Sequence, residues 1–250
     1  MDARVQQSVV ATLSTRPAAR EVGPFVVGFD PTTASPHINY ATPRPGETVT
    51  AADVTALVDA FRAAGRRPRL EYVVSCAPAL ELLLLAAGFV PEARHTYLLC
   101  VPDTLWTPPT PDDVALVEPD DDERRAALIG AQNDAFGEAA TASAADVARL
   151  RRQQEAGGVA VMAVAGSGAC AGGGGAARPT DGVSEVAGIA VREPYRRRGL
   201  AGAITAETTR RLFATGAEVA WLEAGGPESW RVYQRVGYRP AGERRYLVMN

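Results

Sequence analysis

One punctuation pattern occurs twice in the chain. A strand-like run is followed by a proline, a helix-like stretch, a glycine, an aromatic, one further residue and a second proline: Pro78 with Gly88-Phe89-Val90-Pro91, then Pro227 with Gly237-Tyr238-Arg239-Pro240. In both, the glycine stands ten positions beyond the first proline. Proline suits the first turn of a helix, where its missing N–H has no partner to lose, and glycine suits the left-handed residue that ends one. The repetition implies two related α/β halves.

The other elements agree with that plan. In the first half, apolar runs predict strands over Phe25 to Phe29, Leu70 to Val74 and Thr96 to Cys100. A helix is expected from Ala51 to Ala64, with Val54, Leu57, Val58 and Phe61 on one face, and another from Pro78 to Gly88. Val101 to Asp113 carries four prolines among small and acidic residues and reads as a linker. It divides the chain into domains 1–105 and 106–250. In the second half, strands are expected at Val114 to Val117, Val159 to Ala165, Ser184 to Val191, Glu218 to Ala224 and Arg245 to Met249. Helices are expected at Asp122 to Phe136, Leu200 to Thr215 and Pro227 to Val236. The glycine-rich stretch Gly166 to Gly175 reads as a turn with its return strand.

Composition removes several function classes. The chain is 46% hydrophobic and 22% charged, with no apolar run of membrane-spanning length. Met1 to Val10 is polar and lacks the basic-then-apolar order of a secretory leader, so a cytoplasmic location is expected. Cys76, Cys100 and Cys170 are few and far apart, which fits buried thiols in a reducing compartment. His37 and His95 have no ligand cluster near them, and no metal is expected. The net charge is −3 with arginine mixed among acids, which argues against a nucleic-acid surface.

The segment with most chemical content is Val183 to Arg211. A strand ending at Val191 breaks at Pro194, runs through Tyr195-Arg196-Arg197-Arg198-Gly199-Leu200-Ala201-Gly202 and enters a helix. A helix N-terminus offers unpartnered N–H groups and a positive dipole end, and small residues let a phosphate approach them. Three arginines could add counter-charge. The plain alternative is a solvated arginine cluster at a strand–helix corner. A nucleotide P-loop is excluded because the chain has no lysine. A dinucleotide fingerprint fails at its third glycine and its ribose-binding acid.

Arg196-x-x-Gly199-x-Ala201 between a strand and a helix resembles the acyl-CoA loop of the GNAT N-acetyltransferases, commonly Gln/Arg-x-x-Gly-x-Gly/Ala. The later helix ending in Gly237-Tyr238 resembles that family's closing element. The resemblance implies acetyl-CoA as co-substrate and an α/β (α+β) fold of two GNAT-like halves, each a mixed, mostly antiparallel sheet flanked by helices. It implies that the backbone of Ile189, Ala190 and Val191 receives the pantetheine arm, with an N–H near Ile189 facing the acyl oxygen. Arg196, Arg197, Arg198, Gly199, Leu200, Ala201 and Gly202 would hold the phosphates. Tyr233, four residues before Gly237, would protonate the departing thiolate, unless it is a core tyrosine packed with Trp230 and Val236. Glu185 would serve as base, or is simply an exposed strand residue; Glu223 is a second candidate. Many family members carry an asparagine near Glu223, and its absence here leaves the placement of the amine open.

The first half has no such loop before the Val54 helix, Pro43-Arg44-Pro45-Gly46 being the nearest sequence, and Leu84 stands where the second half has Tyr233. It resembles a degenerate GNAT copy. The function implied is acetyl transfer to an amine of a small molecule or protein N-terminus, without a covalent enzyme intermediate. The alternatives are a non-catalytic acyl-CoA-binding interaction or regulatory module, and transfer of a longer acyl chain or to a hydroxyl.

Overall fold

The computed structural model describes residues 1–249. Along the chain it contains α1 (Asp2–Ser14), β1 (Arg20–Val22), β2 (Phe25–Gly28), β3 (Tyr40–Pro43), α2 (Ala51–Ala63), β4 (Arg69–Val73), α3 (Leu80–Ala86) and β5 (Val90–Cys100). These are followed by β6 (Val114–Val117), α4 (Asp122–Ala135), α5 (Ala144–Glu155), β7 (Val159–Ala165), β8 (Cys170–Ala176) and β9 (Val183–Val191). The chain then runs through α6 (Leu200–Ala214), β10 (Val219–Glu223), α7 (Pro227–Val236) and β11 (Arg239–Val248).

The compact units are cut differently from the linear division at residue 105. One comprises Met1–Tyr97 together with the chain from Pro240 onward, and the other Leu98–Arg239. Local contacts account for the difference. In the second unit the Trp106 N–H donates to the Val236 carbonyl at 2.9 Å, and a Cβ on Gly237 would overlap the Thr104 carbonyl oxygen, so part of the expected linker is packed against the end of α7. In the first unit, β11 pairs antiparallel with β4 from Arg244↔Val73 to Val248↔Arg69, which removes the last strand from the half that precedes it in sequence.

Within the first unit the strand order is β1-β2-β3-β4-β11-β5, with β3 and β4 parallel. Its core includes Phe25, Leu57, Phe61, Leu70, Leu84, Phe89 and Leu247. The α2 face forms as expected, from Val54, Leu57, Val58 and Phe61, behind a capping box between Thr50 and Asp53. Charges are buried here as well. Arg244, 2% exposed, reaches Glu71 at 3.2 Å, and Arg69 contacts Glu71 and lies 2.7 Å from Glu92. Each cation thus meets a carboxylate, without which its desolvation would be uncompensated.

Within the second unit the order is β5-β10-β9-β8-β7-β6, β5 contributing its end from Leu98. In each unit the strand pairing is mixed and mostly antiparallel. The expected glycine-rich return strand is β8. Glycine is required there because both faces are filled by neighbours: a Cβ on Gly173 would overlap Leu128 of α4, and one on Gly174 would overlap Ile189.

Four elements were not anticipated: α1, β1, β3 and α5. Two strands are longer than expected, since β5 begins at Val90 and β11 at Arg239. Pro78 lies in a turn two residues ahead of α3. Among the thiols, Cys76 is only half-buried and Cys100 and Cys170 are buried; burial pushes all three thiols up.

The two closing elements share one geometry. Phe89 N–H donates to Leu84 O and Tyr238 N–H to Tyr233 O, both at 3.0 Å. Gly88 and Gly237 have φ of +93° and +111°. This is the left-handed glycine stop that the repeat predicts, and it places Leu84 and Tyr233 at equivalent positions.

Candidate active site

β9 and β10 run parallel but pair over only three residues, Val183, Ser184 and Glu185 against Val219, Ala220 and Trp221. Past Glu185 the pairing stops. On its other side β9 remains paired with β8, with a register shift in which Gly173 and Gly175 oppose Ala190 and Ala187. One extra residue is therefore accommodated in β9, which defines a bulge. Gly188 sits in it with φ +65°, a conformation glycine adopts without strain. Ala187 and Gly188 are exposed in mid-strand.

The loop after β9 contains two left-handed residues, Arg197 at φ +62° and Gly199 at φ +80°. Gly199 precedes α6 without any side-chain cap, and a Cβ there would meet nothing within 4 Å. The first bond of α6 runs from Ala203 N–H to Gly199 O, so the N–H groups of Leu200, Ala201 and Gly202 have no partner inside the helix. Open space in front of unpartnered donors at a positive dipole end fits an anionic phosphate. The side chain of Leu200 is in the core, so only its backbone is available to a ligand. Gly202 is buried and Ala201 half-buried, while Ile189 packs toward Gly174 and Ala190 and Val191 are buried.

The three arginines have different roles. Arg196 donates through Nε to Val191 O at 2.9 Å and through Nη2 to Ala135 O at 3.1 Å, tying the loop to β9 and to the end of α4. Arg198 pairs with Asp113. Among the described residues Arg197 forms no side-chain bond, so it is the arginine of the three left to meet an incoming anion.

Tyr233 is 8% exposed and lies in the α6/α7 core with Leu222, Val236 and Tyr238, its ring centroid 6.4 Å from that of Tyr238. Burial holds its phenol above the ordinary range, so it is neutral and protonated at working pH. The hydroxyl of Tyr238, by contrast, is 2.6 Å from that of Thr209. Glu185 is half-buried and is the last β9 residue paired with β10. Because side chains alternate along a strand, it lies on the face opposite Val186, which packs with Tyr233 in one core cluster. The acid and base candidates thus flank the sheet from opposite faces. Glu223 ends β10, half-buried.

Three contacts from the last turn of α4 carry no local signal in the sequence. Gln132 Nε2 donates to Gly188 O at 2.7 Å, Asp134 pairs with Arg192 Nε at 2.6 Å, and the Ala135 carbonyl receives Arg196. No spacing rule could have found them, because the partners lie more than fifty residues away.

Residues 125–238 match the model of the acetyltransferase (GNAT) family. That span contains β9, the loop and α7. Residues 125–238 belong to the GNAT family. The chain is accordingly an acyltransferase. Among solved structures, a GCN5-related N-acetyltransferase from Kribbella flavida is 26% identical with a TM-score of 0.80, covering 100% of this chain and 95% of its own. One from Sphaerobacter thermophilus is 16% identical with a TM-score of 0.63, covering 99% and 92%. A tandem GNAT protein from the clavulanic acid biosynthesis pathway is 15% identical with a TM-score of 0.63, covering 96% and 86%. No curated protein matches the chain. Among the described residues no group of three or more His, Cys, Asp or Glu is placed to hold a metal, and no helix is long and apolar enough to cross a membrane.

Proposed function

We propose that the protein is a cytoplasmic, acetyl-CoA-dependent N-acetyltransferase that passes the acetyl group directly to an amine of a small molecule or protein N-terminus. The observation that carries this reading is the early end of β9–β10 pairing beside a loop with left-handed Arg197 and Gly199. An extended amide-bearing arm can take the strand edge, and its phosphates the N-terminus of α6. Acetyl-CoA supplies an activated thioester there.

The chain's own groups do the rest. The Ile189 N–H is the donor for the acyl oxygen, where negative charge grows during attack. Glu185, reached from the α4 face, takes the ammonium proton directly or through water, with Glu223 as second candidate. Tyr233, kept neutral by burial, returns a proton to the thiolate sulfur. Residues 1–105 are read as a degenerate GNAT-like domain and 106–250 as the functional one, a tandem arrangement like that named for one structural neighbour.

Calorimetric titration of acetyl-CoA into the full-length protein, beside desulfo-CoA and ATP, tests the reading. We expect one saturable site for acetyl-CoA and none for ATP. Gly199→Glu places bulk and negative charge in the open space before α6, and affinity should fall by about 100-fold or more; unchanged affinity would remove the loop from the site. Tyr233→Phe should lower kcat by about tenfold or more with little change in acetyl-CoA affinity, in the range for a positioned general acid. Equal turnover would return Tyr233 to the core. Binding without thiol release over a broad amine panel would favour the non-catalytic acyl-CoA module.

A further inference from the structure

A peptide bond is planar and trans, so the carbonyl of one residue and the N–H of the next point in opposite directions. The Gly188 carbonyl and the Ile189 N–H are the two ends of one such unit. Gln132 holds the carbonyl end from α4, at 2.7 Å. The same bond therefore aims the Ile189 N–H away from α4. It also polarises that N–H, since a hydrogen bond accepted at one end of an amide strengthens donation from the other.

Gly188 permits this arrangement on two counts. Its φ of +65° is the left-handed conformation that turns the peptide within the bulge. A Cβ at Gly188 would also stand 2.7 Å from Gln132 Nε2, crowding the side chain that makes the bond. The neighbouring attachments, Asp134 to Arg192 and Ala135 O to Arg196, fix α4 against the segment that follows the bulge. Gln132 is thus a side chain from a helix turn tied to the segment after β9, reaching the peptide between the two bulge residues that have no register partner in β8.

We propose that Gln132 is a positioning residue for acetyl transfer, acting through the Gly188–Ile189 peptide to present the Ile189 N–H to the acyl oxygen. The proposal rests on the transferase reading above. It assigns Gln132 no contact with substrate. Its effect belongs in kcat, because acetyl-CoA is held mainly by the loop and the strand edge.

The test uses the full-length protein with Gln132→Met, which keeps the length of the side chain but cannot donate, and Gln132→Glu. A carboxylate cannot donate to a carbonyl, whereas a protonated carboxyl can. We expect Gln132→Met to lower kcat about tenfold to a hundredfold with acetyl-CoA affinity within about twofold of wild type, losing part of what a whole oxyanion donor contributes. Gln132→Glu should be similarly impaired at neutral pH and recover relative to wild type as pH falls through the carboxyl range, which a purely structural role would not produce. The amide proton resonance of Ile189 should shift on adding acetyl-CoA to wild type and shift less in Gln132→Met. An active wild type with an equally active Gln132→Met would overturn the role of Gln132 alone. A wild type that binds acetyl-CoA but transfers to no amine would overturn the transferase reading, and this inference with it.

Discussion

The two parallel strand pairs, β3 with β4 and β9 with β10, differ in what occupies the gap where pairing ends. In the first unit the gap is closed by the chain itself. Gln6 of α1 is fully buried; its Nε2 donates to Thr42 Oγ1 and to Pro43 O, both at 2.7 Å, while its Oε1 accepts from Val73 N–H at 2.8 Å. Thr42 Oγ1 in turn donates to the Glu71 carbonyl at 2.7 Å. One side-chain amide thus spans β3 and β4. In the second unit pairing stops at Glu185, Ala187 and Gly188 are exposed, and the glutamine of α4 grips the bulge from one side only. A gap satisfied by the chain's own amide has no unmet backbone groups to offer a ligand, whereas an open strand edge does. Changes in the first gap should therefore cost stability, and changes in the second should cost binding or catalysis.

The largest effect that tests this division is expected at Glu71. Its carboxylate contacts Arg69 and Arg244, both almost wholly buried. Glu71→Ala takes a carboxylate away from both buried cations, leaving Arg69 with Glu92, and should destabilise the protein by about 3–5 kcal/mol, measured as a lower denaturant midpoint. The acetyl-CoA affinity of the remaining folded protein should stay at the wild-type value. A weakened affinity at unchanged stability would break the comparison.

Next comes the staple itself. Gln6→Leu removes every bond that the side chain makes and orphans the Val73 N–H, a buried donor whose desolvation is then unrelieved. The expected loss is about 3 kcal/mol. Titration should still give one acetyl-CoA per chain. A second equivalent would show that the first gap is a cofactor site held shut by Gln6 alone, since the rest of that half carries no phosphate loop.

The candidate segment was legible in the sequence because its signals are local. The strand-break-loop-helix order around Arg196 to Gly202 and the glycine stop at Gly237 are each written within a dozen residues. Both glutamines were illegible, since each acts on residues 36 to 67 positions away, in the case of Gln6, or 56 away, in the case of Gln132. Other omissions had signals that could have been used. In α1, Val5, Val9 and Leu13 recur every fourth residue and are all buried, and Ser143 with Asp146 forms the capping box that starts α5. The placement of β11 in the first unit had no local signal at all, because its antiparallel partner β4 is remote in sequence, Arg244 and Glu71 being 173 positions apart. The two arginines diverted from the loop's mouth are equally a tertiary fact: the carbonyls of Val191 and Ala135 hold Arg196, and Asp113 holds Arg198.

The smallest expected effect sharpens the comparison at its most symmetric point, the paired glycine stops. Both are left-handed, so alanine at either position carries the conformational penalty of an L-residue at positive φ, about 1 kcal/mol. The surroundings differ. A Cβ on Gly88 meets nothing within 4 Å, whereas one on Gly237 would overlap the carbonyl oxygen of Thr104. Gly88→Ala should therefore cost about 1 kcal/mol in thermal or denaturant unfolding. Gly237→Ala should cost visibly more, and because it displaces the segment beside α7 it should also lower kcat through Tyr233, the residue whose carbonyl accepts the Tyr238 N–H. Equal losses at the two positions, with turnover untouched, would mean that the two closing elements are interchangeable supports and that the tyrosine helix carries no function its counterpart lacks.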